Sequence, residues 1–241
     1  MKSFKSYTTE RSIILEGLED VASFKAIMMA GGAGSGKSYV INKAGLRSYG
    51  MKVSNSDPHY ERMLAKAGLE LKPEDIRSAQ GQAIRGNAKI LTDKQKEMWL
   101  KGRLGLIVDG TGKDLKDVKQ EAKKMKNIGY DVAMIFINTP LETSIERDKN
   151  RKRTIGVKLV TQTWKAVQAN RNALKRLFGA QFIEIENAST TTIEDLTAQA
   201  NKAMEKLKPW INKEPTGSVY KNWKKAEMKK KGITSFKRRK I

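Results

Sequence analysis

A glycine-rich segment in the first fifth of the chain has the composition of a phosphate-binding loop. It follows the pattern G-x-x-x-x-G-K-[ST], and its residues are Gly31, Gly32, Ala33, Gly34, Ser35, Gly36, Lys37 and Ser38. Glycines let the backbone turn successive N–H groups toward a bound phosphate. The lysine can reach the β- and γ-phosphates of a nucleotide, and the final hydroxyl can bind Mg²⁺. The segment predicts a site for ATP and Mg²⁺ in which all eight residues contact the nucleotide or its metal ion.

Two aspartates follow short apolar segments that read as strands. Asp57 comes just after residues 50–54, and Asp109 comes directly after residues 104–108. Because the carboxyl ends of parallel strands face one crevice, both carboxylates should lie near the γ-phosphate. Asp57 could accept the proton of an attacking hydroxyl, and Asp109 could hold the metal ion or its waters. The alternatives are a helix N-cap at Asp57, which is compatible with catalysis, and an Asp-Gly turn at Asp109.

A basic stretch later in the chain contains Arg147, Arg151 and Arg153. Phosphoryl transfer spreads negative charge over the equatorial oxygens, and an arginine that closes over the site stabilises that charge. We expect Arg151 and Arg153 to act in catalysis and Arg147 to contact the substrate. The alternative is a solvated charged helix face, which is common in a basic protein.

The elements that must position these residues alternate along the chain. Strands are predicted at 26–30, 50–54, 104–108, 130–137 and 181–186. Helices are predicted at 37–47, 58–67, 73–101 with breaks near Gly81 and Gly86, 114–127, 141–150, 159–178 and 192–208, with an irregular segment at 151–158. Alternating strands and helices are typical of a parallel sheet covered on both faces. We predict an α/β fold: a P-loop NTPase three-layer sandwich with a five-stranded parallel sheet.

Together these features resemble the zeta-toxin and polynucleotide-kinase branch of P-loop kinases, over roughly residues 25–205. The resemblance rests on the phosphate loop, Asp57, the segment Asp109-Gly110-Thr111, the arginines and the segment 182–187. It implies transfer of the γ-phosphate of ATP to a hydroxyl, with Asp57 as general base, and Asp109 and Thr111 as substrate contacts. It also implies that Asn187 lies near the adenine. Zeta toxins commonly carry glutamate at the position of Asp109, so the nucleotide-sugar substrate does not carry over directly.

The charge of the chain is its most unusual bulk property. The 241 residues carry a net charge of +22 and contain no cysteine. Charge of this size attracts polyanions, nucleic acid first and an anionic membrane surface second. Without cysteine no disulfide or thiolate metal site is possible, which favours a reducing compartment. With no secretory signal and no apolar run of membrane-spanning length, we expect a cytoplasmic protein.

The chain divides by composition into a lead-in at 1–24, a kinase domain at 25–208 and a basic tail at 209–241. The tail, helical in part at 218–230, mixes many lysines and arginines with four aromatic residues: Trp210, Tyr220, Trp223 and Phe236. The aromatic rings could stack on unpaired bases while the cations contact phosphates. Equally, Trp210 and Trp223 could pack the tail onto the domain while the lysines remain solvated.

Three functions remain open on sequence alone. The first is a kinase that phosphorylates a hydroxyl of a polynucleotide end or of a nucleotide-like molecule. The second is a zeta-type kinase acting on a nucleotide sugar, which would not need so basic a surface. The third is an accessory ATP-binding protein that grips nucleic acid or a larger assembly without transferring phosphate.

Overall fold

A five-stranded sheet with all strands parallel forms the centre of the protein. The computed structural model describes residues 17–151 and 154–236. The strands are β1 (Lys25–Ala30), β2 (Lys52–Ser54), β3 (Leu106–Asp109), β4 (Asp131–Asn138) and β5 (Phe182–Glu186). Their order in the sheet is β2-β3-β1-β4-β5. The predicted α/β class and the five-stranded parallel sheet are confirmed.

Helices cover both faces of the sheet. They are α1 (Lys37–Lys43), α2 (Asp57–Lys66), α3 (Pro73–Arg77), α4 (Ala79–Lys101), α5 (Leu115–Asn127), α6 (Leu141–Lys149), α7 (Val157–Phe178), α8 (Ile193–Asn212) and α9 (Ser218–Lys231), with short 3₁₀ helices at Leu46–Tyr49 and Gly179–Gln181. Apolar side chains of α1 and α8 pack on one face, and those of α5, α7 and α9 pack on the other. Both layers are needed because every residue of β1 is buried, so both of its faces are covered by protein.

The predicted break near Gly81 occurs three residues earlier, at Ser78, which has an extended backbone between α3 and α4; the predicted break near Gly86 does not occur, because α4 continues through that residue. The Ser78 hydroxyl caps the helix by accepting a hydrogen bond from the N–H of Gly81, at 2.9 Å. A Cβ atom at Gly81 would collide with the carbonyl of Asp75. Gly81 is therefore a site of close packing between α3 and α4 rather than a helix break.

The predicted boundary at residue 208 falls inside α8, which continues through Pro209 to Asn212. Beyond it, α9 packs on the domain through its own aromatic residues. Tyr220 is 2% exposed, and the Phe24 ring lies 5.3 Å from the Tyr220 ring and 5.0 Å from the Trp223 ring, between centroids. Packing onto the domain therefore holds for Trp210 and Trp223, which are half-buried against the core, and for Tyr220, which is buried.

The lead-in also contributes to packing, since Leu18 and Ala22 are buried along with Phe24. The remainder of the predicted lead-in, residues 1–16, lies outside the described residues. Within the described part of the chain, no helix combines the length and apolarity that a membrane span requires.

Candidate active site

The phosphate loop joins β1 to α1 and depends on glycine for its shape. Gly31, Gly34 and Gly36 have φ angles of 148°, 74° and 92°, which strain any side chain. A Cβ atom at Gly31 would lie 2.7 Å from the Ser35 hydroxyl oxygen, and one at Gly36 would lie 2.5 Å from the Asn187 side-chain nitrogen. The loop thus combines left-handed backbone with close packing, as its sequence pattern predicts.

Lys37 lies inside this loop. Its Nζ donates hydrogen bonds to the carbonyl oxygens of Gly31, at 2.7 Å, and Gly32, at 3.0 Å. The pKa of Lys37 is lowered to about 8, chiefly by burial; the charge of Asp109 opposes the shift, that of Arg151 adds to it, and that of Asp57 opposes it. Three other predicted site residues, Asp57, Asp109 and Arg151, therefore act electrostatically on Lys37 at the carboxyl edge of the sheet.

The lowered pKa of Lys37 predicts that ATP binding takes up a proton at alkaline pH. Below about pH 8 Lys37 is already charged and available to phosphate. Above that pH, each unit should weaken ATP binding by up to about tenfold, because the neutral amine must then take up a proton from the buffer when the nucleotide binds. Titration calorimetry in two buffers with different ionisation enthalpies should detect proton uptake at alkaline pH and little at neutral pH. A Lys37→Arg variant, charged throughout, should show none; equal uptake by the variant would contradict the assignment.

The two predicted carboxylates come from neighbouring strands, β2 and β3. Asn55, directly after β2, donates a hydrogen bond from its side-chain nitrogen to Asp109 Oδ2 at 2.8 Å. The side-chain oxygen of the same residue accepts from the backbone N–H of Asp57, also at 2.8 Å. Asn55 therefore ties the predicted base to the predicted metal ligand. Burial raises the pKa of Asp109 above its usual value, as does the charge of Asp57, while those of Lys37 and Arg151 lower it.

Asp57 begins α2 and forms an ion pair with Arg85 of α4. The guanidinium NH1 lies 2.8 Å from Asp57 Oδ1, with 31% of the Arg85 side chain and 39% of the Asp57 side chain exposed. The guanidinium also lies over the ring of Tyr60, a buried residue, at 4.8 Å from its centroid. Arg85 is therefore fixed on one side by an aromatic ring while it orients the carboxylate on the other.

Replacing Arg85 with glutamine should lower kcat by about 10- to 100-fold, because a small displacement of a catalytic group has effects of that size. The affinity for ATP should stay unchanged, since Arg85 contacts the base and not the phosphate loop. Steady-state kinetics and nucleotide titration would separate the two effects. An Arg85→Lys variant keeps the charge but not the planar geometry, so its kcat should lie between those of the wild type and Arg85→Gln. Full activity in Arg85→Gln would show that Asp57 needs no such support.

The loop after Asp109 is held against the phosphate loop. The N–H of Gly31 donates to the carbonyl of Thr111 at 2.9 Å, which joins the two loops through their backbones. On the other side, the Asn170 side chain of α7 donates to the carbonyl oxygens of Gly112, at 3.0 Å, and Lys113, at 2.8 Å. These hydrogen bonds fix the backbone of residues 110–113, which we call the acceptor loop because Thr111 is a predicted substrate contact. The Thr111 side chain is half-buried.

The arginine segment follows α6. The N–H of Arg151 donates to the Asp148 carbonyl at 3.2 Å, and its side chain is exposed. The Asp148 carboxylate is buried and accepts hydrogen bonds from the N–H groups of Ile155 and Gly156, both at 3.1 Å. It therefore anchors the far end of the segment that carries the arginines. Arg153 lies outside the described residues.

Arg147 and Asn187 meet on the opposite side of the phosphate loop from Asp57. The Arg147 guanidinium donates to the Asn187 side-chain oxygen at 3.0 Å and to the Ala188 carbonyl at 3.3 Å. Asn187 in turn donates to the carbonyl of Ser35 at 2.7 Å and is 1% exposed. Arg147 is thus engaged beside the phosphate loop, away from the two carboxylates, and its predicted substrate contact stays a prediction.

Changing Asn187 to alanine should destabilise the protein by about 1–3 kcal/mol, because it removes buried hydrogen bonds and leaves their partners unpaired. The Ser35 carbonyl would lose the hydrogen bond that it accepts from Asn187, and the Arg147 guanidinium would lose the one that it donates to Asn187. Denaturant unfolding would measure the destabilisation, and the ATP affinity should fall with it. An exposed asparagine of α8, Asn201, is the control and should show little change. Unaltered stability in Asn187→Ala would mean that the loop does not depend on this residue.

The residues that sequence analysis missed at this site are mostly polar positions next to predicted ones. Asn55 and Asp148 carry a detectable signal, since each is a hydrogen-bonding residue beside a predicted strand end or within the arginine stretch. Arg85 and Asn170 carry none, because they reach the site from helices far along the chain. Only the packing of α4 and α7 brings them there.

The predicted ligands of Mg²⁺ are Ser38 and Asp109, and their binding of the ion stays a prediction. Among the described residues no group of three or more His, Asp or Glu side chains could hold a metal ion. Ser38 at the start of α1 and Asp109 at the end of β3 offer two oxygen ligands near Lys37. Mg²⁺ keeps several waters and is usually completed by substrate phosphates, so two protein ligands are sufficient.

Solved structures share this fold at low sequence identity. A chain of the AvrRxo1-ORF1:AvrRxo1-ORF2 complex with sulphate ions has a TM-score of 0.52 and 18% identity, covering 78% of this chain and 62% of that one. The same complex with ATP gives 0.51 and 14%, covering 91% and 89%. The PezAT toxin–antitoxin system of Streptococcus pneumoniae gives 0.51 and 14%, covering 96% and 97%. The chain therefore spans under two thirds of the first of these structures and nearly all of the third.

Similarity in sequence is visible at the level of the family. No curated protein matches the chain. A model of the zeta toxin family, however, matches residues 15–222, which include the phosphate loop, both carboxylates and the arginine segment. Because this match covers most of the sequence, the chain belongs to the zeta toxin family.

Proposed function

We propose that the protein is an ATP-dependent kinase that transfers the γ-phosphate to a hydroxyl of a nucleotide-like acceptor, with Asp57 as the general base. The observation that carries this proposal is the network in which Asn55 joins Asp57 to Asp109 and Arg85 holds the Asp57 carboxylate, at the carboxyl edge of the sheet. An accessory nucleotide-binding protein would need the phosphate loop alone. It would have no use for a carboxylate oriented by both Asn55 and Arg85.

The proposed reaction is an in-line displacement. The acceptor hydroxyl oxygen forms a bond to the γ-phosphorus, and the bond from that phosphorus to the β–γ bridging oxygen breaks, so that ADP leaves. The proton of the hydroxyl passes to a carboxylate oxygen of Asp57.

The remaining residues hold the triphosphate. Lys37 and the N–H groups of residues 31–38 bind the β- and γ-phosphates, and Arg151, with Arg153, neutralises the charge that develops during transfer. Mg²⁺ bound by Ser38 and Asp109 would supply further neutralisation of the phosphate oxygens. Asn187 and Arg147 support the loop on the adenosine side, where Asn187 is near Gly36. The binding of ATP by the AvrRxo1 complex of the same fold supports the choice of nucleotide.

Two acceptor classes have specific support. Membership of the zeta toxin family favours a nucleotide sugar, although Asp109 stands where those toxins commonly carry glutamate. The net charge of +22 favours a polynucleotide end. In both cases the acceptor hydroxyl would lie between Asp57 and the loop at Gly110 and Thr111.

The test is transfer of labelled γ-phosphate from ATP with Mg²⁺ to a panel of acceptors. The panel contains nucleotide sugars, nucleosides, nucleoside monophosphates, and DNA and RNA oligonucleotides with a 5′-hydroxyl. Label on one class, absent with Lys37→Ala, would establish the kinase and its acceptor. ATP binding without label on any acceptor would instead assign the protein an accessory nucleotide-binding role.

A further inference from the structure

Two helices on one face of the sheet carry rows of lysines that point away from the core. In α5 the row consists of Lys116, Lys119, Lys123 and Lys126, spaced three and four residues apart, and all are exposed. In α9 it consists of Lys221, Lys225 and Lys229, spaced four apart and equally exposed. Such spacing puts the members of each row on a single helix face. Among the described residues none of these lysines has an acidic partner within ion-pair distance.

The helices that carry the two rows lie in the same layer of the fold. The buried sides of both helices, represented by Val118, Met125 and Tyr220, enter the same apolar cluster. The turn after α5 meets the start of α9, where a Cβ atom at Gly129 would lie 3.0 Å from Val219. We call the seven lysines of these two rows the basic track. At its other end α5 begins six residues after Asp109, next to the predicted acceptor loop.

Helix stability does not account for the row on α9. A positive charge stabilises a helix near its carboxyl end, which explains the lysines of the last turn. Lys221 lies instead near the amino end, where the first turn has no acidic residue. Lys225 is four residues from both Lys221 and Lys229, and like charges at that spacing repel each other. The row therefore weakens its own helix, and a bound polyanion would remove that repulsion.

The support beneath the row is rigid. Tyr220 and Trp223 on the inner side of α9 pack against Phe24, and the Phe24 ring also lies 5.4 Å from the Tyr130 ring. These aromatic residues are engaged in packing, and the exposed row Lys221, Lys225 and Lys229 consists of cations. Binding through cations alone recognises phosphate groups without reading bases.

We propose that the basic track binds the phosphate backbone of nucleic acid without sequence specificity. The two helices measure about 20 Å each at 1.5 Å per residue. Duplex DNA presents one charge per about 1.7 Å of axis, so about 20 Å of duplex offers several phosphates to each row. Since the track leads to the acceptor loop, a bound strand would pass beside the site that holds Asp109. Binding itself does not require the kinase activity.

The experiment is titration of a fluorescent duplex of about 20 base pairs over a range of salt concentrations. One variant replaces Lys221, Lys225 and Lys229 with glutamine, and a second replaces Lys119, Lys123 and Lys126. The plot of log K against log salt has a negative slope, and each variant should make it shallower by up to about 2.7. This corresponds to about 0.9 for each of the three phosphates that no longer meet a lysine. The matched control replaces Lys202, Lys206 and Lys208 of α8 with glutamine. These lysines are exposed on the opposite face, and the control loses the same three positive charges. It should change the slope much less.

Three results would overturn the proposal. They are no duplex binding by the wild-type protein at low salt, an equal reduction of the slope in the α8 control, or binding of anionic phosphatidylserine vesicles but not of duplex. Thermal melting of each variant would show that it folds, and removal of the repulsion should leave α9 at least as stable. Lys37→Ala should bind duplex like the wild type, so failure of the track and failure of the kinase can be told apart.

Discussion

Replacing Lys37 with alanine should abolish phosphate transfer and weaken ATP binding. The amine lies within the phosphate loop, where it would meet the β- and γ-phosphates. Loss of one preorganised charge of this kind costs at least about 100- to 1000-fold in kcat. Transfer of labelled phosphate to the acceptor found in the panel would measure it, with ATP affinity from calorimetry.

The matched control for Lys37→Ala is Lys43→Ala, at the other end of the same helix. Lys43 is exposed and lies over the ring of Tyr39, at 5.7 Å from its centroid, away from the loop. It should keep wild-type activity. Removing Lys37 should also relieve the cost of burying a charge, so the unliganded variant should be no less stable than the wild type at neutral pH. Substantial turnover by a folded Lys37→Ala protein would refute the assignment of the loop as the catalytic phosphate site.

Replacing Asp57 with asparagine should leave ATP binding intact and reduce transfer by about 100- to 10,000-fold, the usual contribution of a general base. The amide has nearly the same shape as the carboxylate but cannot take the acceptor's proton. Because Asp57 lies outside the phosphate loop, the affinity for ATP should be unchanged. The single-turnover rate of phosphate transfer should fall in the same variant.

The control for Asp57→Asn is Glu61→Gln, an exposed position on the same helix that also loses one negative charge. Normal kinetics are expected from it. If Asp57→Asn transfers phosphate at the wild-type rate, another group takes the proton and the base assignment is wrong. If both variants lose activity equally, the effect comes from the charge of α2 rather than from Asp57 at the site.

The Asp57 and Arg85 variants test two different roles, acceptance of the proton and orientation of the group that accepts it. Arg85 and Asn55 orient the base, whereas Asp57 itself would accept the proton. Orientation can be lost by degrees, so Arg85→Gln should retain more activity than Asp57→Asn. The reverse order would indicate that Arg85 contacts the reacting groups directly.

Local chemistry made the strands and the phosphate loop predictable. Buried strands such as β1 and β4 are short apolar runs, and the phosphate loop needs glycine at positions where the backbone has a positive φ. Asp57 and Asp109 could be placed in one crevice because parallel strands end at a common edge. The break predicted near Gly86 was wrong for the same local reason, because a helix tolerates a single glycine, and propensity alone does not reveal that Gly81 packs against α3.

Contacts between residues distant in sequence could not be predicted in this way. Arg85 reaches Asp57 only because α4 packs on α2, and Asp148 is buried only because the segment up to Gly156 folds back on it. The tail was equally ambiguous, since its aromatic residues suit base stacking and core packing alike.

By itself, the sequence determined the phosphate loop, the sheet that presents it and two carboxylates at its edge, since these follow from short-range patterns and strand geometry. Only the tertiary structure decided how Asp57 is oriented, where Asn187 and Arg147 lie, and that α9 docks on Phe24 with its lysines outward. Those outcomes depend on side-chain packing between elements far apart in the chain, which no local pattern encodes.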